Sequence, residues 1–436
     1  MIHFETAGSN RASRGKRQHT GGSGWGWLAG LSLLASVVGA AAEAGQRTQY
    51  SRTSPQLPYT SPSPVKYNLK YGKLTARVTG SVDVEYNDNI DLAEKNGQSD
   101  LSVGARMGVG FRFPVTEENI MQMDVEVGYR WYLNHPAINT ISLAPATQSH
   151  WSQTIIIDQV RLNIHDLFSI QIDPLTRQEI SGKPGKLINF RRFHNVAGLD
   201  VDWQPARRWV FFGGYDYIID RGLGDDFASL DRDDHSFNGG IEYQASERLS
   251  TRVTGGYTFS EYSKKIQNGG DSWSVGPGIS WHPTKRIDID ASASYWVSSF
   301  DHTGTIADQS QFSGVVFAVS ARQEINRRTS HTLRFSRGVG MGLGSNYTDS
   351  YTVQYGVVRK LSRNITLNAN LAYEPFSTSG PGGESGERYL FNLGTSFKLS
   401  TAWHAGVGYA FAWKSSSLPG RDYTQNRLTL DLTRQF

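Results

Sequence analysis

The residues of this chain whose types and spacing could do chemistry are charged side chains set in stretches where polar and apolar residues take turns. Arg77, Arg106, Arg112, Arg130, Arg161, Arg192, Arg252, Arg322 and Arg334 lie in such stretches, and so do Asp200, Asp202, Asp216, Asp288 and Asp290. In an extended strand, alternation by two gathers the polar residues on one side. Rows of guanidinium and carboxylate on a shared surface set an electric field. They select ions and polar solutes and do not by themselves break bonds.

Other arrangements are weaker. His135 and His150 share a long stretch with Ser142 and Ser149, which could in principle supply a base and a nucleophile at a rim. No spacing marks a triad, so solvated histidines and no catalytic residue are expected. Asp225, Asp226, Asp231, Asp233 and Asp234 crowd one segment but lack the ligand spacing of a calcium loop, and they read as a solvated acidic loop. The run Gly338-Val339-Gly340-Met341-Gly342-Leu343-Gly344 has no helical pattern after it to receive a phosphate, so it is expected to end a strand at a rim. The chain has no cysteine, which excludes disulfides, thiolate chemistry and lipid attachment through cysteine. No cofactor and no metal site are expected.

The elements that must position the charged rows are strands. Period-two runs occupy 74–86, 101–113, 121–133, 160–164, 168–172 after a break at His165-Asp166, 192–203, 209–219, 237–243, 249–259, 273–281, 287–297, 313–325, 333–339, 351–357, 365–373, 389–399, 403–413 and the closing segment to Phe436. They number eighteen. In the last of them Leu428, Leu430, Leu432 and Phe436 share one face, and Thr429, Asp431, Thr433 and Gln435 the other.

Short connections at 114–118, 204–207, 246–248, 282–285, 326–328, 361–364 and 400–402 alternate with longer ones near 135–152, 174–190, 221–233, 263–271, 301–309, 343–349 and 378–386. A soluble sandwich has no reason to sort its loops in this way. An antiparallel up-and-down barrel inserted in a membrane from one side does, with short periplasmic turns and long outer loops. The composition agrees, with 38% hydrophobic residues, 12% aromatic and 46 glycines. The fold class expected is all-β, a transmembrane barrel of about 18 strands.

Charges are expected on one face only, with Asp158 and Arg337 as exceptions near strand ends on the outer face. Unpaired charge at mid-bilayer costs about 2–4 kcal/mol in a barrel. Trp131, Trp203, Trp209, Trp273, Trp281, Tyr295, Tyr373, Tyr389, Trp403 and Trp413 stand at run ends, where two interfacial aromatic belts would lie. The inner charges could form opposed acidic and basic arcs across a water-filled pore, or pair across strands and seal it.

Upstream of the barrel, residues 1–44 read as a secretory signal. Basic residues Arg11 to Arg17 precede an apolar run too short to span a bilayer, and small residues follow around Ala42 and Ala44. Residues 45–69, rich in Pro and Ser, read as a periplasmic linker, and 70–436 as the barrel. Removing the leader takes away half of the net charge of +4, so no nucleic-acid partner is expected.

The first run ends Val84-Glu85-Tyr86-Asn87-Asp88-Asn89-Ile90, and Trp203-Gln204-Pro205 and Trp281-His282-Pro283 mark short turns. With these motifs the chain from about Leu74 to Phe436 resembles the beta-barrel porin-2 family. The resemblance implies a barrel in the bacterial outer membrane, in a family some of whose members are associated with exopolysaccharide loci. A strand that stops on an aromatic also resembles the closing strand of outer-membrane barrels, which implies that Phe436 is read by the barrel-insertion machinery. The inner face is not overwhelmingly basic, unlike that of alginate-export barrels, and this speaks against a conduit for an acidic polysaccharide. The function expected is a water-filled, weakly selective, porin-like channel for ions or small polar solutes. The alternatives are the outer-membrane component of exopolysaccharide export and a plugged structural barrel without transport. The partners expected are outer-membrane lipid and lipopolysaccharide, the insertion machinery and further copies of the chain.

Overall fold

The computed structural model describes residues 69–143, 149–172, 191–223, 230–342 and 344–436. The leader, most of the linker, the loop at 174–190 and Asp225 and Asp226 lie outside the described residues. The strands are β1 (Leu69–Tyr71), β2 (Leu74–Asn87), β3 (Asp100–Pro114), β4 (Asn119–Tyr132), β5 (Thr140–Leu143), β6 (Ser149–Ile157), β7 (Val160–Ile172), β8 (Arg191–Ala206), β9 (Trp209–Gly222) and β10 (Arg232–Ser246). The second half adds β11 (Leu249–Tyr262), β12 (Gly270–Thr284), β13 (Ile287–Phe300), β14 (Phe312–Asn326), β15 (Thr329–Met341), β16 (Tyr347–Lys360), β17 (Ile365–Thr378), β18 (Ser385–Lys398), β19 (Trp403–Ser416) and β20 (Tyr423–Gln435).

Apart from β5 and β6, which do not pair with each other, each strand pairs antiparallel with its neighbours in sequence, and β2 pairs with β20 from Thr79 opposite Gln435 to Asn87 opposite Arg427. That last ladder closes the sheet into a barrel and removes its edges, which bare strands in hydrocarbon require. The twenty segments make eighteen staves. β5 and β6 are two pieces of one stave, since β5 pairs with Val127 to Arg130 of β4 and β6 with Asn119 to Asp124 of the same strand. β1 pairs with Leu74 to Ala76, continuing the line of β20 below the point where β20 ends.

The expected number of strands is right, but two of its parts are not. The run at 160–172 is one strand, β7, unbroken at His165-Asp166. The stretch 135–152, expected as a loop, contains β5 and the start of β6. One strand counted twice made up for one missed.

Side-chain exposure alternates along the staves. Val82, Met107, Val127, Val253, Leu333 and Leu430 are exposed, whereas Asp83, Asp216, Glu242 and Ser280 are buried. A water-soluble core has the opposite sign. The exposed rows form an apolar outer wall, so the barrel is of the outer-membrane type and belongs in the bacterial outer membrane. Trp203 against Phe211 and Trp209 against Tyr243 lie at the short-turn end, and Tyr129 with Trp131, Trp273 with Tyr295, and Tyr373 with Tyr389 and Trp413 at the other. These are two aromatic belts.

The outer face carries more charge than expected. Asp158 is not on a strand face but in the turn between β6 and β7. Asp166 lies in the outer row of β7, opposite Trp151 and Ala197, and accepts a hydrogen bond from Asn195 Nδ2 at 2.5 Å. Arg221 pairs with Asp233, and Arg337 with Asp349. Pairing lowers the cost of these groups in a way that a single strand's alternation does not reveal.

Candidate functional site: the charged inner wall

The inner rows of β2, β3 and β4 carry a connected set of ions. Asp83, only 2% exposed, accepts a hydrogen bond from Arg130 Nη2 at 2.6 Å and forms an ion pair with Arg106 Nη2 at 3.1 Å. Arg106 also donates to Ser81 Oγ and approaches Glu126 at 4.0 Å. Arg77 Nη2 donates to Asp124 Oδ1 at 3.0 Å. Both β2–β4 pairs cross over β3, and glycine makes the crossing possible. A Cβ at Gly104 would stand 2.5 Å from Asp83 Oδ1, and one at Gly110 would overlap Asp124. The glycines are notches through which side chains two strands apart meet.

The same device recurs further round. His165 Nε2 and Asp216 Oδ1, on β7 and β9, are 2.9 Å apart across Gly198 of β8, and His165 Nδ1 lies 3.5 Å from Asp200 Oδ2. Arg161 pairs with Asp202, its Nε donating at 2.9 Å. Arg192 lies 3.5 Å from Asp220, whose carboxylate also meets His194 and Arg232. Arg252 donates to Ser280 Oγ at 3.0 Å, and that hydroxyl donates to Asp290 at 2.7 Å. Asp288 meets His282 Nδ1 at 2.8 Å, and Arg322 meets Glu324 at 3.6 Å. Arg112 keeps its Nε buried without a hydrogen-bond partner. Arg334 is exposed and has no ion pair among the described residues.

Opposed acidic and basic arcs are therefore not what forms. Carboxylates and guanidinium groups interleave, strand by strand, and most charges are compensated within a few ångströms. The segment expected as a solvated acidic loop is also different. Arg232 and Asp234 are buried strand residues, 2.9 Å apart, and Asp233 faces the other way to hold Arg221. His135 Nδ1 lies 2.7 Å from Asp100 Oδ2, while His150 sits in β6 opposite Asp124 and Leu167, and Ser142 in β5 opposite Gly128.

Sequence reasoning missed the lattice at the outer end. Asp308, in the β13–β14 loop, accepts from Asn346 N at 2.7 Å, Ser379 Oγ at 2.5 Å and Ser310 N at 2.8 Å. Asn268 Nδ2 donates to Asp308 O and to Asn346 Oδ1, and Asn268 Oδ1 accepts from Gly304 N. Four loops are thereby tied together. Burial alone would raise the pKa of Asp308, but the donated hydrogen bonds outweigh it and hold the carboxyl below its ordinary value. Glu384 behaves alike, with burial opposed by Lys414, Ser416 and Arg421. The Asp and Asn residues of the loops were the available signal, but nothing in their spacing says which loops they join.

No family model matches the chain, and no curated protein matches it. Solved structures do. The chain is similar to OpdQ of Pseudomonas aeruginosa at 10% identity and a TM-score of 0.49, over 84% of this chain and 100% of that one. It is similar to OccK11 (OpdR) of Pseudomonas aeruginosa at 12% identity and a TM-score of 0.47, over 83% and 96%. It is also similar to a loop-deletion mutant of OmpT, an outer membrane protein of Vibrio cholerae, at 12% identity and a TM-score of 0.41, over 84% and 100%. At that level of similarity, nothing about solute or selectivity passes from those proteins to this chain.

Proposed function

We propose that the chain is a water-filled, weakly selective channel for ions and small polar solutes in the outer membrane. The observation that carries this reading is that Arg161, Asp290 and Arg334, all on inner rows, remain exposed although they point into the barrel. A lumen packed solid would bury them, whereas an eighteen-stranded barrel is wide enough to leave an aqueous channel. Charge compensation along the wall supports weak selectivity, since neighbouring opposite charges cancel at the distance of a passing ion. It also favours small polar solutes over an anionic polymer, which a wall of one sign would draw. The tied outer loops narrow the entrance.

The Tyr86-Asn87-Asp88-Asn89-Ile90 motif supports membership of the porin-2 family. The reading of Phe436 as the signal for the insertion machinery, with lipid and lipopolysaccharide as the surrounding partners, is supported by its being half exposed on the outer wall, its N–H donating to Val78 O at 2.9 Å. Conductance in planar bilayers tests the channel. Phe436→Ala, if the aromatic is the insertion signal, lowers the fraction assembled in the membrane without changing the conductance of the barrels that do insert.

A further inference from the structure

One seam in the barrel wall is not zipped to its end. The β14–β15 ladder runs from Asn326 opposite Thr329 up to Phe317 opposite Arg337 and stops there. β14 nevertheless continues to Phe312 and stays paired with β13, and β15 continues to Met341 and stays paired with β16. The rows that would follow, from Val316 opposite Gly338 to Ser313 opposite Met341, are not made. Among the described residues, two ladders are interrupted at a proline, β12–β13 at Pro277 and β16–β17 at Pro375, and both resume beyond it. Proline lacks the N–H a ladder needs. The β14–β15 opening contains no proline and reaches the rim. In a membrane wall, unmade backbone pairs cost several kcal/mol each unless protein covers them.

Here the cover is side chains. Phe312 and Val316, on the inner row of β14, are buried with Trp296 of β13, and Val339 and Tyr347 pack on them. By alternation Val339, Arg337 and Tyr347 belong to the outer rows of β15 and β16. The inner face of β14 therefore laps over the outer face of its neighbours. Arg337 Nη1 donates to Val315 O at 3.1 Å across the gap, and its Nε and Nη2 hold Asp349 at 3.1 and 2.8 Å. Its guanidinium lies 5.6 Å from the Phe312 ring centre and 5.3 Å from that of Tyr351. Gly314, Gly338 and Gly340 leave both edges bare of side chains beside this plug.

We propose that this seam is a lateral portal between the barrel interior and the outer leaflet, and that its ligand is a single-chain amphiphile with an anionic head. The alkyl chain lies on Trp296, Phe312, Val316 and Val339, an apolar patch in a polar wall. The head takes Arg337 in competition with Asp349. An apolar chain replaces the overlap contacts at little cost, and a solvated ion does not, so the route is separate from axial conduction.

The absence of native cysteine gives a clean background for the test. The full chain is reconstituted in vesicles, and quenching of tryptophan fluorescence by a brominated long-chain fatty acid is measured for four proteins: the wild type, Trp296→Phe, Arg337→Gln, and Val315→Cys/Val339→Cys closed with a short bis-maleimide. The wild type is expected to show a saturable component that is lost in Trp296→Phe and on closing the seam. Arg337→Gln is expected to weaken binding of the acid while leaving the matching fatty alcohol unchanged. Equal quenching with the seam open and closed overturns the proposal, and so does a saturable component that survives in Trp296→Phe. If the double-cysteine protein does not assemble, the Trp296→Phe and Arg337→Gln comparisons decide by themselves. Ion conductance of the closed form is read in parallel. It stays at the wild-type level whether or not the portal exists, so failure here is distinct from failure of the channel reading.

Discussion

Asn89 and Thr424, 335 residues apart in the chain, are joined by a hydrogen bond of 2.9 Å from Asn89 Nδ2 to the Thr424 carbonyl. The same amide brackets its own loop, donating to Ala93 O and accepting from Ala93 N, both at 2.9 Å. Gln425 Nε2 returns a bond to Asn89 O, and Asp88 takes both the backbone and the side-chain N–H groups of Asn426. The motif that ends the first barrel strand is thus a clasp between the first and last staves. Asn89→Ala leaves several of these partners buried without a bond. It is expected to lower barrel stability by about 1–3 kcal/mol, read as a lower urea midpoint in detergent or lipid with the assembled fold retained.

Asp83 serves two arginines, so its removal changes charge as well as contacts. Asp83→Asn is expected to leave Arg130 without its ion pair and Arg106 with only Glu126 at 4.0 Å, and to move the reversal potential under a salt gradient toward anion preference. A stability loss of about 2 kcal/mol accompanies it. An unchanged reversal potential in open channels means that these residues do not face the conducting path.

The notch at Gly104 makes a sharper prediction. The methyl of Gly104→Ala meets the flexible end of Asp83 and not the backbone, so Asp83 moves off Arg130 while the ladder stays. The expected result is a selectivity shift in the same direction as Asp83→Asn but smaller, with about 1 kcal/mol lost. Gly104→Ala with wild-type selectivity contradicts the crossing-over geometry.

The outer lattice depends on pH through Asp308. Its folded pKa lies below the ordinary value, so the carboxylate's contribution to loop docking is complete above the unfolded pKa of about 3.9 and is lost as pH falls through the lowered folded value. Protease nicking of the 301–311 loop is expected to be constant from neutral pH down to about 4 and to rise only below it. Asp308→Asn is expected to show raised nicking already at neutral pH, with the acid dependence lost.

How much of this was legible in the sequence follows from where each signal resides. Alternation belongs to single strands, and it exposed most of the staves, the apolar outer rows and the sorting of turns from loops. It failed at His165-Asp166, where an inner histidine is followed by an outer aspartate that only Asn195 on the next strand explains. It failed again at β6, where Ser149-His150-Trp151-Ser152-Gln153-Thr154 is polar on both faces apart from Trp151, and only the Ile155-Ile156-Ile157 run and the spacing of Trp151 with Ile155 and Ile157 hint at a stave. Pairing was out of reach because Arg77 meets Asp124, and Arg130 meets Asp83, across an intervening strand. The register, the glycine notches and the open seam are properties of several strands at once, and no local pattern encodes them.

The most direct test of the account is the current through single wild-type barrels in planar bilayers. Full-length protein with verified insertion is predicted to give stepwise, ohmic conductance with a reversal potential near zero under a salt gradient, as a water-filled lumen with a compensated wall requires. Inserted barrels that pass no current would contradict it.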